Sequence, residues 1–366
     1  MPTKKSTPDF LLVLITLLLL AVGMIMVYSA SAAWATYKFE DSFFFAKRQL
    51  LFAGLGVIAM FFIMNVDYWT WRTWAKIILI TCFIMLILVL IPGIGLVRGG
   101  ARSWIGVGAF SIQPSEFMKL AMIAFLAKYL SENQKKITSL RQGLVPSLSL
   151  VFLAFGMIML QPDLGTGTVM VGTCMVMIFV AGGRISHFVG LGLIGVAGFV
   201  GLILSAPYRI KRITSFLDPW QDPLGSGFQI IQSLYAIGPG GLLGLGLGKS
   251  RQKFFYLPEP QTDFIFAILA EELGFIGGSL IILLFALLLW RGVRIALGAP
   301  DLFGSFLAIG IISMIAIQVI INIGVVIGLM PVTGITLPFL SYGGSSLTLM
   351  LMAVGVLLNI SRYARY

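Results

Sequence analysis

Residues 263–290 read DFIFAILAEELGFIGGSLIILLFALLLW, an apolar run that begins with a carboxylate. A helix of about 20 apolar residues crosses the hydrocarbon core of a bilayer, which is about 30 Å thick. Ionisable side chains are costly in that setting, so they must be paired or reached by water. The stretch therefore predicts a transmembrane helix. It also raises the question of why Asp263 stands at its start and why Glu271 and Glu272 lie two turns inside it.

The composition of the whole chain extends this prediction. Of 366 residues, 58% are hydrophobic and 11% are charged, about half the charged fraction of a soluble domain. We therefore expect an all-α polytopic membrane protein with ten transmembrane helices, forming a single integral-membrane domain over residues 1–366. The expected spans are 10–33, 46–65, 76–92, 112–130, 144–160, 164–181, 186–205, 263–290, 302–328 and 337–360.

The basic residues predict how the chain is oriented. The formal net charge is +11, but no compact basic domain exists to hold a duplex, so nucleic acid is excluded as a partner. Short cytoplasmic loops are enriched in Lys and Arg, and this pattern fits best with both termini in the cytoplasm. The long loop at 206–262 is then external. Within it, GSGFQIIQSLYAIG at 225–238 predicts a short amphipathic helix on the membrane surface.

Several charged and aromatic side chains fall at the external ends of the predicted spans. Glu116 and Lys119 are three residues apart on one helical face and are expected to pair. This pair could simply orient helices, or it could belong to a larger polar group with Asp163. Two carboxylates of such a group could hold a divalent cation, Mg²⁺ or Mn²⁺. The other candidates in this layer are Arg48, Arg102, Trp104 and Asp263.

Asp263 has two competing explanations. In the first, Thr262 caps the following helix and Asp263 is favoured by the dipole of its first turn. In the second, Asp263 is a base beside a phosphate-bearing substrate, because the basic residues Lys249, Arg251 and Lys253 precede it closely. Glu271 and Glu272 are expected to have a structural, helix-packing role. Asn322 and the SYGGSS segment at 341–346 are further polar exceptions, and SYGGSS is expected to form a turn and a helix start.

Five segments together resemble the SEDS family, the FtsW/RodA/SpoVE group of shape, elongation, division and sporulation proteins. They are GARSWI, QPSEFMKL, QPDLGTG, GGLLGLGLGKSRQKFFYLPEPQTDFIFAILAEELGFIG and PVTGITLPFLSYGGSS, in that order along the chain. The resemblance covers about residues 10 to 360. It is strongest to the sporulation branch, which implies a role in the spore cortex and a place at the forespore or septal membrane.

The resemblance implies an enzyme that polymerises lipid II into peptidoglycan glycan strands at the outer face of the cell membrane. It implies a class B penicillin-binding protein as a partner, and membrane lipid as the surroundings. It places the essential carboxylate at Asp263. It also implies functional roles for Arg48, Arg102, Trp104, Glu116, Lys119, Asp163, Lys249 and Lys253. Gln261 stands where many relatives have His, so the side chain at that position is not expected to be the base.

Two other functions stay open at this point. A lipid II flippase would place ionisable groups near the bilayer centre and along a path to both faces, whereas this sequence concentrates them on one side. A scaffold that recruits the cross-linking enzyme would not require the cluster of charges. No bound metal is certain from the sequence, and a divalent cation remains an option.

Overall fold

The chain folds into a bundle of membrane helices in a computed structural model that describes residues 6–98, 101–107, 110–204, 216–225 and 227–365. The helices are α1 Phe10–Phe39, α2 Phe44–Asn65, α3 Trp69–Leu90, α4 Pro114–Asn133, α5 Val145–Met159, α6 Leu164–Val180, α7 Ile185–Leu204, α8 Phe228–Gly240, α9 Ile265–Gly298, α10 Leu302–Val326 and α11 Gly344–Ser361. The strands are β1 Gly95–Arg98, β2 Ala101–Val107 and β3 Phe110–Ile112.

Aspartates fix the starts of three of these helices. The side chains of Asp9, Asp163 and Asp301 each accept a hydrogen bond from a backbone N–H in the first turn of α1, α6 and α10. Such caps satisfy donors that have no partner within the helix. Pro114 begins α4, a position where its missing N–H does no harm. Local chemistry thus sets where the apolar runs become helical.

Helices α10 and α11 occupy the centre of the bundle. Most of their residues are buried, whereas α2, α3 and α9 present broad apolar faces outward. The helix α11 packs along α2, and α10 packs against α4, α6 and α9. Apolar side chains on the outside, such as Phe62, Ile80 and Leu283, are expected of a protein whose solvent is lipid.

The loops gather on two opposite faces of the bundle. We call the face that carries the loops around residues 40–43, 91–113, 160–163, 241–264 and 327–343 the site face. The opposite face carries both termini and is tied together by polar contacts. Asp9 pairs with Arg291, Tyr68 and Trp69 donate to Asp301 at 2.6 and 2.8 Å, and Arg365 N donates to the carbonyl of Gly298.

A small antiparallel sheet lies on the site face. Its order is β1-β2-β3, and it packs near the ends of α3 and α4. Trp104 stands opposite Leu96, and Arg102 stands opposite Val97. These strands were not predicted from the sequence, and they make the fold mainly but not wholly helical.

Helix α9 is interrupted at Gly274, which has φ 66° and ψ −166°. A side chain at this position would collide with the backbone of Gly244, so glycine is required. The backbone hydrogen bonds lost at the break are replaced by the loop at 241–246. Leu245 N and Gly246 N donate to the carbonyls of Glu271 and Glu272, and Phe275 N and Ile276 N donate to those of Gly241 and Leu242, at 2.8–3.1 Å.

The predicted helical spans are confirmed as helices, with changed boundaries. The third begins at Trp69 instead of 76, and the tenth begins at Gly344 instead of 337, after an irregular loop. Within the described ranges, seven helices are long and apolar enough to cross a membrane. Ten crossings therefore remain a prediction.

The predicted external loop is described only in part, because residues 205–215 and 226 lie outside the described residues. The amphipathic segment forms α8, as predicted. Ser233 on α8 donates to the carbonyl of Val326 at 2.7 Å, and Ile230 and Ile231 are buried. The helix therefore packs onto α9 and α10.

Candidate active site

The loop at 327–343 and the first turn of α11 form the centre of the site face. Their hydrogen bonds reach four other parts of the chain. Gln49 Nε2 on α2 donates to the Ser341 carbonyl at 3.0 Å, Tyr342 N donates to the Gln261 carbonyl at 2.8 Å, Asn322 Nδ2 on α10 donates to the Ile335 carbonyl at 2.7 Å, and Gln113 N donates to Ser345 Oγ at 3.2 Å. The predicted turn and helix start at SYGGSS are confirmed, since α11 begins at Gly344.

Asp263 lies two residues before α9 and is half-buried on the site face. Its Oδ1 is 3.0 Å from the hydroxyl of Thr262, whose single hydrogen can alternatively go to the Glu259 carbonyl at 2.7 Å. The N-cap position of α9 is Phe264, and it has no side-chain cap. The capping explanation for Thr262 and Asp263 is therefore wrong, and the carboxylate is left available for other contacts.

Burial raises the pKa of Asp263 to about 6, and the nearby charge of Glu259 adds to the rise, while the Thr262 hydroxyl opposes it. A carboxylate that loses its proton near pH 6 is mostly ionised at neutral pH yet is a stronger base than an ordinary aspartate. Within the described residues, no ion pair links Asp263 to a Lys or Arg. These properties suit a proton acceptor better than a structural charge.

Glu116 and Lys119 form the predicted pair. Lys119 Nζ is 2.8 Å from Glu116 Oε1, and both side chains are buried at the start of α4. The other carboxylate oxygen, Glu116 Oε2, is buried without a hydrogen-bond partner. A buried acceptor with no donor is costly, so this oxygen can take a donor or a cation from a bound molecule.

Asp163 lies beside the start of α4, as expected for a member of the same polar group. Its Oδ2 accepts hydrogen bonds from Gln113 Nε2 at 2.8 Å and from Ser115 Oγ at 3.0 Å, and its Oδ1 caps α6. The carboxylate therefore ties α6 to α4. This contact places Asp163 near the Glu116–Lys119 pair without an ion pair between them in the described residues.

Arg48, Arg102 and Trp104 lie on the same face but on different elements. Arg48 is in the first two turns of α2, with its guanidinium 4.2 Å from the ring centre of Phe44. Arg102 and Trp104 are half-buried residues of β2. A planar guanidinium is well suited to bind phosphate oxygens in pairs.

Of the basic residues before Asp263, Lys253 points into the fold and not toward Asp263. Lys253 is buried, with Nζ 3.0 Å from Glu272 Oε1 and 2.6 Å from the Gly248 carbonyl. Lys249 is exposed and stands in the same loop. The ammonium group of Lys253 is thus held inside the fold, because the buried Glu272 requires a counter-charge. The expectation that this group faces a phosphate does not agree with its position.

Glu271 and Glu272 hold the loop at 250–253 onto α9. Glu272 accepts hydrogen bonds from Ser29 Oγ at 2.7 Å and from Ser250 N at 3.2 Å, in addition to Lys253. Glu271 accepts from Ser250 Oγ, Arg251 N and Gln252 N. These contacts agree with the structural role expected for both glutamates, and Arg291 pairs with Asp9 at the other end of α9.

The sequence analysis gave no role to Asn322 and Gln49. Asn322 Nδ2 donates to the Asp263 carbonyl as well as to that of Ile335, and Gln49 holds the Ser341–Gly343 turn through both ends of its amide. The available signal was a polar amide within an apolar run, which must find partners in the fold.

A bound divalent cation remains a prediction. Within the described ranges, no group of three or more His, Cys, Asp or Glu residues could hold a metal ion. Mg²⁺ is often held by only one or two carboxylates together with substrate phosphates. The unpartnered Glu116 Oε2 fits that mode as a single protein ligand.

An apolar cavity of about 430 Å³ lies between α8, α9 and α10. Phe266 and Ile323 line it. In the sequence, Phe266 follows Asp263 by three residues and Ile323 directly follows Asn322. Its walls are mostly hydrocarbon, and the residues that line it carry no charge.

The fold is a bundle of apolar helices with charged side chains at the site face, which is the architecture of an integral-membrane protein. The family model FTSW_RODA_SPOVE, described as cell cycle protein, matches residues 9–366. The chain therefore belongs to the FtsW/RodA/SpoVE family.

Two curated relatives illustrate the similarity. The chain is 82% identical to stage V sporulation protein E of Bacillus subtilis strain 168 over 366 residues, with 100% of both chains covered. It is 45% identical to the probable peptidoglycan glycosyltransferase FtsW of Geobacter sp. strain M18 over 357 residues, covering 98% of this chain and 97% of the relative.

Solved structures share the fold. One comes from work on the structural coordination of polymerization and crosslinking by a peptidoglycan synthase complex. It is 34% identical, with a TM-score of 0.81 and coverage of 97% and 98% of the two chains. The crystal structure of the rod shape determining protein RodA of Thermus thermophilus is 30% identical, with a TM-score of 0.72 and coverage of 97% of each chain.

Proposed function

We propose that this protein is a peptidoglycan glycosyltransferase that polymerises lipid II into glycan strands. Its family membership and its similarity to FtsW and to a synthase-complex chain support this function. The observation that carries the proposal is Asp263, a half-buried carboxylate on the site face with a pKa raised to about 6 and no basic partner in the described residues.

The reaction joins the C4 hydroxyl of one sugar to the anomeric carbon of another. The new carbon–oxygen bond forms as the bond from the anomeric carbon to the lipid diphosphate breaks, and the hydroxyl proton goes to Asp263. A sugar hydroxyl has a pKa far above 7, so it needs such a base as it attacks. One carboxylate is enough for a single displacement with inversion, because no covalent sugar intermediate forms.

The leaving diphosphate needs positive charge. Arg48 and Arg102 lie on the site face and are the proposed partners. Lys119 would add its charge from the buried pair with Glu116, and Trp104 and Asp163 lie in the same region. Stabilisation of charge that develops in the transition state is commonly the largest part of catalysis. A bound Mg²⁺ or Mn²⁺, held by Glu116, would supply further positive charge to the diphosphate. Lys249 is an exposed candidate for binding the same charged head group, whereas Lys253 is buried against Glu272.

The lipid-linked substrate gives a reason for the one-sided charges. Its polyprenyl tail stays in the membrane while its head group meets the loops of the site face, so the reactive groups belong at that boundary. We propose that the site face is external, that both termini are cytoplasmic, and that the protein acts in the cell membrane. The similarity to a stage V sporulation protein supports a role in spore-cortex synthesis at the forespore or septal membrane.

A class B penicillin-binding protein is the proposed partner. The support is the similarity to a chain from work on a synthase complex that coordinates polymerization with crosslinking. A pure scaffold role in such a complex would need neither the raised pKa of Asp263 nor the basic residues of the site face.

One assay separates the three functions. Purified protein is given labelled lipid II in detergent, with and without the cognate transpeptidase, and the products are resolved by chain length. In parallel, movement of lipid II across vesicles is followed. Long chains from the wild type and none from Asp263→Asn are expected. Lipid movement without polymer would instead indicate a flippase, and neither product, with or without the partner, would indicate a scaffold.

A further inference from the structure

Asn322 joins the backbone of Asp263 to the central loop of the site face. Its side-chain nitrogen donates two hydrogen bonds, each 2.7 Å long, to the carbonyls of Asp263 and Ile335. An amide nitrogen carries two hydrogens, so both bonds can form at once. The residue is 1% exposed and lies in the last two turns of α10, which is otherwise apolar.

The two carbonyls do not belong to regular structure. Asp263 precedes the first residue of α9, and Ile335 lies in the irregular loop before α11. A buried carbonyl left without a donor costs about 1–3 kcal/mol. A leucine at 322 would remove the donor from both carbonyls together, and the two segments would lose the contact that fixes their separation.

The Asp263 carboxylate depends on this contact because its own side chain is weakly held. The carboxylate accepts from Thr262, whose hydroxyl has a second acceptor, and from the backbone N–H of Asp263 itself. The position of the carboxylate is therefore set by its backbone. A misplacement of about 1 Å at a reacting group can lower the rate about 10²-fold.

We infer that Asn322 is a positioning residue for the transfer reaction. It holds the Asp263 backbone at a fixed distance from the loop at 331–343, so the base stays aligned with the sugar hydroxyl. This inference rests on the proposed function, in which Asp263 is the base. Asn322 itself acts through the backbone and needs no contact with substrate.

Gln318 offers a matched control on the same helix. It lies one turn before Asn322, is 2% exposed, and its Oε1 has no hydrogen-bond partner. The same chemical changes can therefore be made at two buried amides of α10. The variants Asn322→Leu and Gln318→Leu both remove a buried amide, but Asn322→Leu alone removes the bond to Asp263.

Asn322→Asp gives a second measurement, the pH dependence of the rate ratio, which a purely structural role would not change. The carboxyl group has nearly the shape of the amide, donates one hydrogen bond when protonated and none when ionised. The ratio of its rate to the wild-type rate at the same pH should fall as pH rises. Because the ratio is taken at each pH, the effect of pH on groups remote from position 322 cancels. An ionised carboxylate at 322 would also raise the pKa of Asp263, which lowers the ratio at the acid end and therefore acts against the expected fall.

Other charged groups on elements packed against α10 are present in both proteins compared. Within the described residues, those toward the site face are Glu116, Lys119, Asp163, Asp263, Glu271 and Glu272. Glu116 is paired with Lys119, and Glu271 and Glu272 are held by the loop at 250–253.

The experiment measures lipid II polymerisation per folded molecule, taken from the monodisperse fraction, between pH 6 and 9. We expect Asn322→Leu to lose at least tenfold in rate and Gln318→Leu to stay within threefold. The Asn322→Asp ratio should fall at least threefold across the range. If Asn322→Leu does not fold, the Asn322→Asp ratio still tests the inference, because this variant keeps one donor at pH 6 and loses it when the carboxyl group ionises at higher pH.

Three results would overturn the inference. They are a rate within threefold of the wild type for Asn322→Leu, a flat ratio for Asn322→Asp, and an equal loss in Gln318→Leu. Asp263→Asn, measured beside them, keeps the two levels apart. If it is inactive while both Asn322 variants are active, only the inference fails, whereas an active Asp263→Asn removes the proposed base.

Discussion

Asp263 lies just before α9, Glu271 and Glu272 lie about two turns further along the chain, and the surroundings of these carboxylates differ. Glu271 and Glu272 are buried and accept hydrogen bonds from the loop at 250–253, with Lys253 as counter-charge. Asp263 is half-buried, accepts hydrogen bonds from a neighbouring hydroxyl and from its own backbone N–H, pairs with no Lys or Arg of the described residues, and has a pKa raised to about 6. A carboxylate held by several donors and a counter-charge stabilises the fold, whereas a carboxylate without a counter-charge can accept a proton.

The largest effect should come from removing the free carboxylate. Asp263→Asn keeps the shape but cannot take a proton, so polymerisation should fall by about 10²–10⁴-fold, the usual contribution of a general base. The melting temperature should change little, since no ion pair is lost. Glu271→Gln is the matched change at the other carboxylate group. It should lower the melting temperature but change the rate per folded molecule little.

Lys253→Met tests the structural side of the comparison. It leaves Glu272 buried without its counter-charge, and breaking a buried pair in this way costs about 3–5 kcal/mol. Thermal unfolding in detergent should therefore shift to clearly lower temperature. Lys249→Met, an exposed lysine of the same loop, should change the stability by less than about 0.5 kcal/mol. Equal melting temperatures for the two variants would contradict the role given to Lys253.

The pH dependence of the wild type should reflect the raised pKa of Asp263. The base works only when ionised, so the rate should be level above about pH 7 and should fall as pH drops through about 6. Well below pH 6 the fall should approach tenfold for each pH unit. The measurement is the polymerisation rate at limiting lipid II between pH 4.5 and 8. A rate that stays constant down to pH 5 would contradict the assignment.

The smallest expected effect concerns Thr262. Its hydroxyl stabilises the ionised Asp263, so Thr262→Val should raise the pKa of the base and move the acid limb of the rate profile to higher pH, by less than about one unit. The rate near pH 8 should hardly change. Thr262→Ser keeps the hydroxyl and should leave the limb in place. An acid limb that moves to lower pH in Thr262→Val would contradict the proposed contact.

Much of the fold follows from the sequence because long apolar runs and aspartate caps act locally. The pairing of Glu116 with Lys119 was also predictable, since residues three apart share a helical face. The break in α9 was not, because Gly274 is tolerated there only through hydrogen bonds from residues 241–246. The sheet was hidden in a glycine-rich loop with little apolar alternation.

The candidate site was predictable in its members more than in their contacts. Asp163 and Glu116 do lie near each other. The inward position of Lys253 was not predictable, because its partner Glu272 is 19 residues further along the chain. Asn322 was visible only as an isolated amide in an apolar run. Its two acceptors, Asp263 and Ile335, are on segments 59 and 13 residues away, and no local pattern brings them together.

The interruption of α9 at Gly274 has a consequence for how the protein is made. Bare peptide groups facing lipid are heavily penalised, so the broken turn is tolerable only once the preceding glycine-rich segment has docked. That segment is synthesised just before the helix and is ready when the helix enters the membrane. Insertion of α9 and docking of the loop at 241–246 must therefore be coordinated during biogenesis. This loop completes the backbone hydrogen bonds of a membrane helix, so it cannot be removed.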